Sequence, residues 1–119
     1  MNVNLEFDLE LNNSSCLQPV QALSICNKGD TLERGTLEIR STSDALVPFE
    51  TPLPVLESGT VTPIPQACLL QTNLPYLNSL CHPLVTEMVL TVYCDGVPVY
   101  SWAQQFRVDK PLTEEVEYT

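Results

Sequence analysis

Residues 85–108 constrain the fold more than any other part of the chain. Two runs rich in β-branched and aromatic residues, 85–94 and 97–108, flank the dipeptide Asp95-Gly96. An Asp-Gly pair between such runs is the strongest short-range signal for a β-hairpin, because both central positions of a type I′ turn require positive φ. The segment also holds the single tryptophan and three of the seven Phe and Tyr residues. An isolated hairpin is marginal in water, so other strands must cover it.

The turn leaves two registers to weigh. A two-residue I′ turn pairs Cys94 with Val97, so even positions oppose odd ones. Tyr100, Trp102 and Phe106 would then share a face with Glu87 and Thr91. A three-residue loop with Gly96 in a G1 bulge pairs Tyr93 with Val97 instead. Met88, Leu90 and Val92 then join Tyr100, Trp102 and Phe106, and the other face holds Thr91, Ser101, Gln105 and Arg107. A one-residue slip moves every side chain across the sheet, so the apolar pattern decides. It selects the bulged register, with Trp102 buried.

The rest of the chain reads as short strands between turns. From Val3 to Leu11 the odd positions are apolar and the even ones polar or acidic, the period of a half-buried strand. Its face of Glu6, Asp8 and Glu10 is read as a solvated strand face rather than as a carboxylate pair for acid–base catalysis, since nothing places a substrate there. Asn12-Asn13-Ser14-Ser15 is a turn. Residues 20–26 form a second strand, closed by Asn27-Lys28-Gly29-Asp30, and residues 36–41 a third, with Leu37 and Ile39 facing in.

Residues 44–65 carry five prolines (48, 52, 54, 63 and 65), with Pro75 just beyond. Proline lacks the ladder N–H, so this segment is excluded from central strands except in short pieces. Residues 55–56, 60–64 and 67–71 are candidates for short strands. Residues 73–80 are the one plausible helical turn, with Pro75 near its first position. The fold expected is therefore all-β: an immunoglobulin/fibronectin-like β-sandwich of about seven to eight strands with at most one short helical turn. Residues 1–110 make the sandwich domain, and 111–119 read as an acidic tail or linker.

Charge limits the partners. Fifteen acidic residues against five basic ones give a net charge of −10. Nucleic-acid affinity comes largely from basic groups displacing counterions, so direct binding to DNA or RNA is not expected. Lys28, Arg34 and Arg40 lie near Asp30, Glu33 and Glu38 in sequence, which would cancel any local positive patch. No run approaches a membrane span, and Met1 is followed by alternating apolar and acidic residues rather than a basic, then apolar, leader. The expected location is cytoplasmic. There the five cysteines (16, 26, 68, 81 and 94) would stay reduced and act as small hydrophobes.

No catalytic, cofactor-binding or metal residue is assigned. Cys81-His82 is the only close Cys/His pair. Neighbours in an extended chain point to opposite faces, which makes a poor nucleophile–base couple. The cysteine spacings give no close pair of the kind zinc uses. A small enzyme using Cys81/His82 is the alternative from another class, and an adhesion or secretion-associated sandwich is a third.

Several segments in order carry a family pattern. Pro19-Val20 leads into Ala22-Leu-Ser-Ile-Cys-Asn27. Then come Leu37-Glu-Ile-Arg-Ser41, Val55-Leu-Glu-Ser-Gly59, Leu77-Asn-Ser-Leu80, Glu87 and Leu90-Thr-Val-Tyr-Cys-Asp-Gly-Val-Pro-Val99. Over residues 17–108 this resembles the immunoglobulin-like domain at the N-terminus of large bacterial superfamily 1 helicases. Those proteins also carry a restriction-endonuclease-like nuclease and are associated with defence against foreign DNA. The resemblance implies an accessory, non-enzymatic interaction role, because the family's helicase and nuclease sites lie downstream. After Val108 a Trp-Gly-type exit is replaced by Asp109-Lys110-Pro111-Leu112, so either an excised domain or a stand-alone relative is expected. The partner expected is a protein: a neighbouring domain of the same chain, or a second copy joined by edge-strand pairing.

Overall fold

The computed structural model describes residues 1–12 and 17–109. In chain order the elements are β1 (Leu5–Leu11), β2 (Val20–Asn27), β3 (Gly35–Ser41), β4 (Phe49–Pro52), β5 (Val61–Pro63), a 3-10 turn (Pro65–Leu69), α1 (Leu74–Asn78), β6 (Leu84–Cys94) and β7 (Val97–Val108). They build two antiparallel sheets, one of order β1-β2-β5 and one of order β4-β3-β6-β7. The chain crosses between sheets after β2, β4 and β5. The fold is thus the all-β, immunoglobulin/fibronectin-like sandwich expected from the strand and turn spacing. The acidic segment 111–119 lies outside the described residues.

Alternation places the core. Leu5, Leu23 and Ile25 of the first sheet meet Leu37, Ile39, Met88, Leu90 and Val92 of the second in one buried cluster. Burial at about 25 cal/mol per Å² of apolar surface is the main force holding the layers together. Outward positions of the same strands are mostly polar, as at Glu6, Asp8, Glu10 and Arg40, with Val85 and Val89 of β6 as exceptions.

The hairpin solves its register differently from the sequence expectation. Asp95 and Gly96 have φ of 53° and 79°, both left-handed, and Cys94 pairs with Val97. The turn is therefore the two-residue I′ type, not a three-residue loop with Gly96 in a bulge. The extra residue enters two positions later. Tyr93 pairs with Pro98 but Val92 pairs with Tyr100, which leaves Val99 as the bulged residue. From there Leu90 opposes Trp102 and Thr86 opposes Phe106, so even positions face even ones. Both apolar faces are assigned as expected, by a bulge that proline helps to place, since Pro98 cannot donate to the ladder. Trp102 is half-buried rather than buried.

The proline-rich segment divides between the two sheets. β4, which the sequence did not mark as a strand, pairs with β3 along Thr36↔Pro52 to Ile39↔Phe49. β5 pairs with β2 over Ser24↔Pro63 to Cys26↔Val61. Residues 55–56 give only an isolated bridge, Leu32↔Leu56. Residues 67–71 do not form a strand. Ile64, Ala67 and Leu70 are all fully buried, a three-residue repeat that fits a 3-10 turn. The Ala67 N–H donates to Ile64 O at 3.1 Å, and Leu70 N–H to Ala67 O at 3.2 Å. Helix α1 starts with Pro75 in its first two positions and buries Leu77.

One buried side chain fixes the loop after β2. Asn27 is 1% exposed. Its Nδ2 donates to Leu56 O at 2.7 Å and to Asp30 O at 2.9 Å, and its Oδ1 accepts from the Gly29 N–H at 2.9 Å. A buried amide left without partners would be costly, and here donor and acceptor ends are both satisfied. Gly29 packs directly on the backbone of Asn2 and Asn4, leaving no room for a Cβ.

Candidate docking edge

Among the described residues two open sheets have four edges, and the sequence treats them unequally. β4 and β5 are short, at four and three residues, and each carries proline. Short, proline-bearing edges resist addition of a further strand. The other two edges, β1 and β7, are longer, at seven and twelve residues. They lie on the same flank of the sandwich, because the Phe7 ring of β1 sits 5.4 Å from Trp102 and 5.9 Å from Tyr100 of β7.

Outward side chains separate these two. The solvent face of β1 is Glu6, Asp8 and Glu10, three carboxylates in succession. The solvent face of β7 beyond the bulge is Ser101, Ala103, Gln105 and Arg107, all exposed and with a single charge among them. Across on β6 stand Thr91, Val89, Glu87 and Val85, paired in that order with Ser101, Ala103, Gln105 and Arg107. Pro98 and the bulge at Val99 protect only the turn end of β7. From Tyr100 to Val108 the strand is proline-free and carries no lysine or inward-facing charge.

The seam between β1 and β7 is only partly closed. Phe7, Leu9, Leu11, Tyr100 and Trp102 are half-buried members of the core rather than sealed ones. Sequence alternation marks them as inward, but cannot show that they stand at the rim of the sandwich.

Three of the five basic residues are engaged elsewhere. Lys28 Nζ lies 2.9 Å from Glu6, Arg34 Nε 2.8 Å from Asp95, and Arg40 Nε 2.8 Å from Glu38. These three sit beside carboxylates as the sequence anticipates: Arg40 on Glu38 and Arg34 also within 3.8 Å of Glu33 are the expected neighbours, while Lys28 takes Glu6 rather than Asp30. Glu38 also accepts from the Tyr93 hydroxyl at 3.2 Å. That hydrogen bond, helped by desolvation and by the negative charge of Glu38, holds the Tyr93 hydroxyl above its ordinary pKa.

The structure gives the sequence-level chemical candidates no common site. Cys81 and His82 are both exposed in the loop between α1 and β6. Cys68 Sγ donates to Gln21 O and Cys94 Sγ to Glu33 O, each at 3.1 Å. The four described cysteines are free thiols, and Cys16 lies outside the described residues. Among the described residues no group of three or more His, Cys, Asp and Glu side chains could hold a metal ion. A shallow hollow of about 370 Å³ at the end of β3 is lined by Arg40, Ser41, Asp44, Leu46 and Asn73 among others, with neither cysteine nor histidine. No described helix is long and apolar enough to cross a membrane.

No protein-family model, curated protein or solved structure matches this chain.

Proposed function

We propose that the chain is a non-enzymatic protein-interaction module, an accessory β-sandwich that docks a protein strand on the β7 edge. The observation that carries this reading is the contrast among the four edges. Two are short and proline-bearing, one is lined with carboxylates, and β7 alone is long, nearly uncharged and open from Tyr100 to Val108. Strand addition uses main-chain hydrogen bonds for affinity and alternate side chains for specificity, and such an edge supplies both. A catalytic role has less support, because Cys81 and His82 sit exposed in a loop and, among the described residues, belong to no cluster of three or more His, Cys, Asp and Glu side chains.

The setting belongs to the same reading. The resemblance over residues 17–108 points to an accessory domain of a cytoplasmic helicase–nuclease defence protein. The net charge of −10 and the pairing of Lys28, Arg34 and Arg40 with carboxylates favour a protein partner over DNA.

Photo-crosslinking in cells expressing the natural gene tests the reading. Benzoylphenylalanine in place of Gln105, on the outer face of β7, should yield a protein adduct. The same probe in place of Glu50 on β4 should yield none. Equal labelling from both positions, or none from Gln105, would count against the docking edge.

A further inference from the structure

We infer that the occupant of the β7 edge is the β7 strand of a second copy, giving a two-fold dimer with one continuous eight-stranded sheet. This rests on the docking-edge reading and goes further by naming the partner. The argument is one of charge opposition. Two identical strands paired antiparallel about a two-fold axis place each residue opposite a fixed mate. Centred on Ala103, the β7 pair sets Ala103 against Ala103 and Ser101 against Gln105. Centred on Gln104, it sets Ala103 against Gln105 and Ser101 against Arg107. No two like charges meet in either register, and the inward mates in the second are Trp102 and Phe106.

The β1 edge fails the same test. Centred on Asp8, self-pairing sets Asp8 against Asp8 and Glu6 against Glu10. Centred on Phe7, it sets Glu6 against Asp8. Every central register opposes carboxylates, which destabilises a strand pair. Of the two long edges only β7 is compatible with its own copy. An isologous pair consumes both open β7 edges and closes at two copies, whereas β7 on β1 of the next copy is a head-to-tail contact that leaves an edge free at each end unless a ring closes.

The extra apolar contact is local. Pairing along residues 100–108 would bring the half-buried Tyr100 and Trp102 of each copy toward the rim of the other. Against this stands the charge of −10 carried by each copy. Repulsion between two acidic bodies is screened by salt, with a Debye length of about 10 Å at 0.1 M. The dimer therefore has a signature that attraction between opposite charges would not give: it strengthens as salt rises.

Sedimentation of the purified 119-residue chain tests this, across protein concentration and from 20 mM to 1 M sodium chloride. The expected result is a species of twice the 13.2 kDa chain mass, whose dissociation constant falls several-fold with salt. The double variant Ala103→Glu/Gln105→Glu, on the exposed face, sets carboxylates against each other in either register and should be monomeric throughout while keeping the wild-type circular dichroism. Asp8→Asn on β1 should leave the dimer intact. A wild-type chain that stays monomeric to millimolar concentration, an Ala103→Glu/Gln105→Glu chain that still dimerises, or growth into long polymers would each overturn self-pairing. A Gln105 crosslink to a protein of different mass, with the chain itself monomeric, would overturn the self-pairing while leaving the docking edge standing. Loss of that crosslink altogether would remove both.

Discussion

Arg34 and Asp95 are the two non-glycine residues with positive φ among the described residues, 55° and 53°, and they hold each other through a bidentate ion pair. Arg34 Nε donates to Asp95 Oδ1 at 2.8 Å and a second guanidinium nitrogen to Oδ2 at 3.0 Å. One residue enters β3 and the other turns β6 into β7. Left-handed conformations are unfavourable for most side chains, so tying two of them together fixes the end of the sandwich where both turns meet.

The pair makes the stability depend on acid. The Arg34 hydrogen bond, with its positive charge, holds the Asp95 carboxyl below the ordinary 3.8. A carboxyl depressed in the folded state stabilises above its unfolded pKa, and that contribution is lost as pH falls through the folded value. Wild type should therefore exceed Asp95→Asn in stability at neutral pH, by a margin that shrinks below about pH 4. Asn-Gly also suits a I′ turn, so the variant keeps the hairpin. Denaturant titration from pH 7 to pH 2 checks this. A margin that does not change with pH contradicts it.

Asn27→Ala should cost about 1–3 kcal/mol, because Leu56 O and Asp30 O lose their donor and the Gly29 N–H its acceptor in a buried setting. Urea unfolding measures it. A loss under a few tenths of a kcal/mol would mean that water replaces the amide without penalty.

Deleting Val99 should preserve the fold. The deletion places Tyr100 directly after Pro98 and opposite Val92, so the ladder runs on from Cys94↔Val97 and Tyr93↔Pro98 with the faces of residues 100–108 unchanged. Cooperative unfolding and dispersed amide resonances should be retained. Val99→Ala should cost no more than about 1 kcal/mol at this half-buried position. A deletion variant that fails to fold would show that the bulge itself, rather than the apolar pattern, sets the register.

Trp102→Ala should cost about 2–3 kcal/mol, less than the 3–5 typical of a fully buried aromatic, since the ring stands at the rim beside Phe7. Its fluorescence maximum should lie between those of buried and aqueous indole. Emission at the aqueous value would contradict the contact with Phe7.

Much of this architecture is written locally. Alternation at residues 5–11, 37–41 and 87–92 places inward and outward faces correctly, and Asp95-Gly96 marks the turn; at Val85 and Thr86 the apolar residue is the exposed one. What escaped depends on non-local choices. Phe49–Pro52 is a strand because β3 offers it an edge, and nothing in its four residues announces that. The 3-10 turn had a local signal, the triplet spacing of Ile64, Ala67 and Leu70, hidden among prolines that suggested short strands. The bulge moved from Gly96 to Val99 because apolar pattern fixes the register but not where the extra residue sits. The candidate edge was half legible: prolines marked the closed edges, but only the sheet order shows that β7 is open.

Residue-resolved amide exchange at low and high protein concentration tests the docking edge most directly. Concentration should slow exchange at alternate amides between Tyr100 and Val108, those facing away from β6, while β1, β4 and β5 stay unchanged. Protection that appears on β1 instead, or no change on β7 up to millimolar protein, would contradict the account.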